Sequence, residues 1–237
     1  WQIYDSNMRF DDTLPMPDYE LFDSVDIFKN NWKKGKWHYA IMTSHGCPFP
    51  CKYCASRKRV FQPRSIEHCF TELEQAIKNY SIKSFIIIDD CFNANKRRTL
   101  EFCKRIKRLN LQFFVANGLR ADRFDEDIAI NLKEAGCTNI MFGIESIHDT
   151  ILDISTKGEK FEDIDRAILI AQKHFDQVGG FFIIGLPGSS YKHDLETVAY
   201  AIKNKLNAHF SYFVPEHLIL DNIFYGDSAK PLSDAYN

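Results

Sequence analysis

"SHGCPFPCKYCASRKR" (44–59) sets Cys47, Cys51 and Cys54 within eight positions, with Pro48 and Pro50 between the first two. A residue that precedes proline avoids the helical region, so 47–50 is expected to run as an open loop. Three thiols at spacings of four and three on such a loop can converge on one metal centre. A structural zinc wants four ligands, with His45 or Cys69 as candidates for the fourth. Zinc sites usually show two paired knuckles, however, and no second CxxC or HxxxH occurs in the chain. The alternative is a [4Fe–4S] cluster held by three thiolates, which leaves one iron open. Cys69, Cys91, Cys103 and Cys137 are scattered singly, poor material for a disulfide framework, and a reducing, cytoplasmic setting is expected.

Outward from this loop, short apolar runs alternate with segments of helical period. The runs are "HYAIMTS" (38–44), "SFIIIDD" (84–90), "LQFFVANG" (111–118), "TNIMFGIES" (138–146), "GGFFIIGLPG" (179–188) and "AHFSYFVPE" (208–216). Rich in Ile, Phe, Val and Tyr, they read as buried parallel strands. Helices are expected near 66–80, 96–109, 125–135, 160–175 and 191–205, with Ser65 and "FDED" near 125 as starts and Gly136 as a stop. Six such units give a parallel α/β structure, either an open sheet or a barrel. Asp89, Asp90, Asn117, Arg120, Glu145, Ser146 and the Gly185–Gly188 turn all fall at strand C-terminal ends, which a barrel collects on one rim.

The spacing of Cys47, Cys51 and Cys54, with Tyr53 before the last, resembles the CxxxCxxC signature of the radical S-adenosylmethionine superfamily. The resemblance covers roughly residues 37–216 and implies a partial (β/α)6 barrel. It further implies a cluster on the three cysteines whose open iron binds S-adenosylmethionine, and reductive cleavage to a 5′-deoxyadenosyl radical. By the same resemblance, Glu145 of "MFGIES" would touch the cofactor's ribose or amine. Arg120 of "NGLRADRF" would meet its carboxylate or orient Glu145, with Asn117 nearby. Tyr53 and Ile183 would border adenine, Gly185 would allow close backbone approach, and Asp89 would bind the cofactor while Asp90 faces substrate. The chain departs from the pattern at Phe181 and Gly188 of the GxIxGxxE element and lacks the second-strand GGE.

"DDCF", "NGLRAD", "FGIES", "TKGEKFEDIDRAI" and "IGLPG" resemble the branch that often carries an N-terminal cobalamin-binding domain, and "LPMPDYELFD" (14–23) resembles its linker. No cobalamin-binding DxHxxG occurs here. With cobalamin, the implied reaction is methylation of an unactivated carbon or phosphorus; without it, hydrogen abstraction leading to rearrangement, cyclisation or thiolation. The implied partners are a reductant such as flavodoxin or ferredoxin and a small-molecule or peptide substrate.

Residues 1–36 are expected to form an arm or linker, 37–216 the barrel, and 217–237 a C-terminal extension. Trp1 in place of Met suggests a fragment of a longer chain. A hydrophobic fraction of 45% supports a sizeable core, and 30 basic against 32 acidic residues give no field that would select nucleic acid or an anionic membrane. The basic run 95–110 carries an apolar stripe and reads as the solvated face of an outer helix rather than an RNA contact. Cys91 and Cys137 sit at strand ends, where inert burial and a place in the active site both stay open.

Overall fold

The computed structural model describes residues 10–22 and 25–215. Parallel strands β1 (Tyr39–Ile41), β4 (Ser84–Ile87), β5 (Gln112–Val115), β6 (Ile140–Glu145), β7 (Val178–Ile184) and β8 (Asn207–Tyr212) lie side by side in chain order. Between β1 and β4 in sequence, β2 (Ser44–His45) and β3 (Gln62–Pro63) form a small antiparallel pair. Continuous parallel ladders join β1, β4 and β5, and again β6, β7 and β8. The two halves meet through single bridges, Phe113 with Cys137 and Leu119 with Phe142. Among the described residues no ladder joins β8 to β1, so the expected partial barrel is what forms.

Helices cover the outside: α1 (Val25–Lys33), α2 (Ile66–Tyr80), α3 (Lys96–Ile106), α4 (Glu126–Glu134), α5 (Asp149–Ile154), α6 (Phe161–His174) and α7 (Tyr191–Lys203). Their starts follow capping chemistry: Ser65, Asn95 and Asp125 each accept a backbone N–H three residues on, at 3.1 Å. Gly136 takes φ 99°, and a Cβ there would lie 2.3 Å from the Leu111 carbonyl oxygen, so the turn into β6 requires glycine. The sequence reading missed α1 and the short α5.

The core lies between strands and helices. Phe85 stacks on Phe113 at 4.9 Å across β4 and β5, and Phe124 meets Phe142 edge-on at 5.0 Å, all four rings fully buried. Lys96 and Arg105 of α3 and Lys107 of the turn after it point outward to Asp125, Glu67 and Glu134, as a solvated face requires, while Arg98 turns inward and donates to the Thr43 and Arg64 carbonyls at 2.8 and 3.1 Å. Tyr19 packs against Trp32, Tyr39 and Tyr80 at 4.9–5.7 Å. Because Tyr39 opens β1, Tyr19 and Trp32 cover the end of the sheet opposite the strand C-termini, whereas Phe10 and Asp12 reach the β2–β3 pair and the start of α2, with Phe10 N on Gln62 at 2.7 Å and Asp12 accepting Ser65 N at 2.9 Å. No helix among the described residues is long and apolar enough to cross a membrane. The expected C-terminal extension, 217–237, lies outside the described residues.

Candidate functional site

The cysteine loop is closed before it reaches any ligand. Ser44 and His45 pair with Pro63 and Gln62, so residues 46–61 form a loop tied at its base. Gly46 has φ 77°, and a Cβ there would meet the Val60 carbonyl oxygen at 2.2 Å, so only glycine allows this crossing. Asp90 fixes the loop from β4: its carboxylate accepts Gly46 N at 2.9 Å and Ser56 Oγ at 2.6 Å. A second tie comes from far along the chain. Lys52 N donates to the Ser155 carbonyl at 2.9 Å and Thr156 Oγ1 to the Pro50 carbonyl at 2.7 Å.

A cavity of about 290 Å³ opens at the C-terminal ends of β4, β5 and β6. Cys47, Cys51, Cys54, Tyr53, Asp90, Asn117, Arg120 and Glu145 all line it, so eight of the eleven residues given a role in the sequence converge. Asp89, Ile183 and Gly185 do not line it. Ile183 is half-buried on β7, and Gly185 sits in the following turn with its N–H on Asp194 at 3.1 Å. Asp89 is fully buried and accepts Thr43 N, Thr43 Oγ1 and Ser44 Oγ at 2.5–2.6 Å, which clamps the end of β1 to β4. Burial pushes its carboxyl upward against those hydrogen bonds. Asp89→Asn is therefore expected to cost about 1–3 kcal/mol of unfolding free energy in urea. The affinity for S-adenosylmethionine should stay unchanged; a residue that contacted the cofactor would show the reverse pattern.

Sequence reading missed Lys157 and Glu159. Gly158, at φ 71°, turns the chain so that both flanking side chains face inward, 5% and 0% exposed. Lys157 Nζ stands 3.4 Å from Glu145 Oε1, 3.4 Å from Tyr53 Oη and 3.5 Å from Glu159 Oε2. Burial by itself would lower this ammonium, but Glu145, Glu159 and Cys51 outweigh it and hold the group charged. Arg120 does not pair with Glu145. It donates to Asp122 at 2.9 Å and to the Lys157 carbonyl at 3.0 Å, lies 3.3 Å from Glu159, and stacks on Phe49 at 3.7 Å. Glu145 has a left-handed backbone, φ 66°, beside a register shift at Gly143. A non-glycine residue in that region stores strain of order 1 kcal/mol, and such strain gathers at functional sites.

Burial pushes Glu159 from the usual 4.5 up to about 7; Lys157 and Arg120 pull it down, and a proton shared with Asp122 adds to the rise. The folded chain thus holds a proton that the unfolded chain has released between pH about 4.5 and about 7. Stability contributed by this group falls as pH rises through that window. Glu159→Gln is expected to flatten this slope, read as the difference between urea midpoints at about pH 5 and about pH 7.5.

The thiols fit a cluster better than a zinc ion. His45 and Cys69 are absent from the cavity lining, and Cys69 is fully buried on α2. Among the described residues no three His, Cys, Asp or Glu side chains stand close enough to hold a single metal ion. The three thiols instead border one open cavity, as a polynuclear centre needs. A hydrogen bond with Cys91 draws the Cys47 thiol down to about 6, toward the thiolate that binds iron. Lys157 and Arg120 place positive charge beside an anionic centre.

An uncharacterized methyltransferase of Pyrococcus horikoshii is 32% identical over 205 residues, which cover 85% of this chain and 43% of that protein. The anaerobic magnesium-protoporphyrin IX monomethyl ester cyclase of Synechocystis is 27% identical, over 69% of this chain and 35% of its own length. The chain thus spans less than half the length of these relatives. In fold it resembles the radical S-adenosylmethionine methyltransferase TsrM of Kitasatospora setae, solved with cobalamin and a [4Fe–4S] cluster, at TM-score 0.67, 20% identity, and coverage of 82% and 41% of the two chains. The model of the radical SAM superfamily matches residues 41–201, from the last residue of β1 into α7, and so takes in the thiol loop, Glu145 and Lys157 together: the chain belongs to the radical SAM superfamily.

Proposed function

We propose that this chain is the radical-generating part of a methyl-transferring enzyme, with Cys47, Cys51 and Cys54 as cluster ligands. The superfamily uses a [4Fe–4S] cluster and S-adenosylmethionine. Bound here, they supply the electron that breaks the sulfonium carbon–sulfur bond and the 5′-deoxyadenosyl radical that follows. The observation that carries the reading is the convergence of the three motif thiols with Glu145 and a buried Lys157 on one cavity at the strand C-termini.

The chain's own residues then have separable tasks. Asp90 and the Ser155–Thr156 turn hold the thiol loop in shape. Glu145 offers a carboxylate to the cofactor's amine or ribose, as a charge-assisted acceptor. Lys157 stands 3.4 Å from Glu145 and so fixes where that carboxylate points, and Asn117 ties β5 to the end of β4 by donating to the Ile88 and Asp89 carbonyls at 3.2 and 3.0 Å. Arg120, held by Asp122, Glu159 and Phe49, closes the wall behind Lys157, so its part is to orient rather than to meet the cofactor's carboxylate directly. The methyltransferase names among the relatives support methyl transfer.

The test is anaerobic reconstitution with iron and sulfide, reduction, and assay for 5′-deoxyadenosine from S-adenosylmethionine, with Cys51→Ala as control. Product in the wild type alone supports the reading; stoichiometric zinc in place of a cluster overturns it.

A further inference from the structure

The thiol loop carries charge of one sign. Residues 46–61 hold Lys52, Arg57, Lys58 and Arg59 and no acid, in a chain whose net charge is only -2. Lys52 and Arg59 are exposed and stand outside the cavity lining. Lys52 Nζ rests on the Ile154 carbonyl at 3.1 Å, and Arg59 lies 4.0 Å from Asp90. Arg57 donates to the Lys52 carbonyl and belongs to the loop's own frame. Val60 follows, 72% exposed, although its backbone is fixed: its carbonyl packs on Gly46, and the β2–β3 pair closes just after it. The basic run on α3 differs, because Lys96, Arg105 and Lys107 there each meet a carboxylate at 2.5–2.9 Å, which offsets much of their field.

What lies behind this face gives it a use. Cys47, Cys51 and Cys54 border the cavity, and Cys47 and Cys54 are only half-buried, so the loop alone would stand between their cluster and solvent on this side. Electron transfer weakens steeply with separation, so a protein that reduces the cluster does best to dock on the loop rather than on the helices outside the sheet. A basic face selects an acidic partner and speeds the encounter. Electron-transfer encounters use small interfaces, so one loop is area enough. Val60, apolar among cations, matches a flavin carrier, whose exposed dimethylbenzene edge is apolar.

We propose that Lys52, Arg59 and Val60 of the thiol loop form the docking surface for an acidic flavodoxin, which rests on the cluster reading above. In the encounter the flavin hydroquinone loses one electron and the oxidised cluster gains it. No bond forms between the two proteins, and no proton has to cross.

The test measures two quantities on the anaerobically reconstituted protein: the affinity for purified oxidised flavodoxin at low and high salt, and the rate of cluster reduction by flavodoxin hydroquinone beside that by dithionite. Removing two charges in the Lys52→Gln/Arg59→Gln variant is expected to weaken binding and slow reduction by flavodoxin about tenfold at low salt. High salt should shrink the difference. Iron content and reduction by dithionite, which needs no docking, should stay at wild-type values. Lys104→Gln/Arg108→Gln, the same loss of charge on the exposed face of α3, should leave both quantities unchanged. Unchanged flavodoxin binding in the loop variant would overturn the proposal, as would an equal loss in the α3 variant. Tighter binding of a ferredoxin at the same face would overturn the choice of a flavin carrier. If the loop variant takes up less iron, Val60→Asp decides by the same readings, since it sets an acid against an acidic partner. A wild type that forms no cluster, or makes no 5′-deoxyadenosine even with dithionite, would instead sink the reading beneath the proposal.

Discussion

Replacing each of the seven cysteines by alanine in turn is expected to divide them into two groups. Cys47→Ala, Cys51→Ala and Cys54→Ala lose cluster iron and, with it, 5′-deoxyadenosine formation. The fall should exceed about 100-fold, beyond the 10- to 100-fold that removal of an outer partner of a metal site costs. Cys69→Ala, Cys103→Ala and Cys137→Ala should keep their iron and lose of order 1 kcal/mol of stability, because these thiols fill buried positions away from the cavity. Cys91→Ala should fall with the second group in iron content. The measurement is iron per chain after anaerobic reconstitution, beside a urea curve for each variant. Full iron in any one of the three motif variants would remove that residue from the ligand set. Iron lost evenly across all seven would mean that the thiols act through folding alone.

The barrel was legible because each parallel strand is buried on both faces and so appears as an unbroken apolar run between capped helices. Ser65 and Gly136 mark helix start and stop by chemistry that is local to the sequence. The helix α5 was not legible: six residues are too few to display a helical period. The thiol loop was readable for the same reason as the caps, since its ligands lie within eight positions.

Asp89 and Asp90 show where local reading ends. They are adjacent acids at one strand end, yet Asp89 turns to Thr43 and Ser44 while Asp90 holds the cysteine loop. Only the strand beside them decides which is which. Lys157 and Glu159 are harder still. In sequence, "TKGEK" has the look of an exposed charged turn; its burial depends on Lys52 and Pro50, about a hundred residues earlier, pinning Ser155 and Thr156 against the thiol loop.

That long-range pin gives Lys157→Met the largest expected effect on stability. The substitution keeps most of the side chain's volume and removes its charge, leaving Glu145 buried without its cation and Glu159 with Arg120 alone. Breaking a buried pair from one side costs about 3–5 kcal/mol, since the remaining charge is uncompensated. The pH dependence identifies the cause. Lys157 pulls the Glu159 carboxyl down, so without it that group rises further above its unfolded value, the folded state holds its proton to higher pH, and the variant regains stability as pH falls. A packing defect would be insensitive to pH. Glu159→Gln in the Lys157→Met background should recover part of the loss at about pH 7.5, because the buried carboxyl that lost one of its two cations is gone, and the pair of substitutions should be non-additive by about 0.5–3 kcal/mol. Urea curves of the single and double variants at about pH 5 and about pH 7.5 supply the comparison. A cost below about 1 kcal/mol, unchanged with pH, would mean that water reaches Lys157 and that the charges around the cavity stand as separate solvated groups rather than as one network.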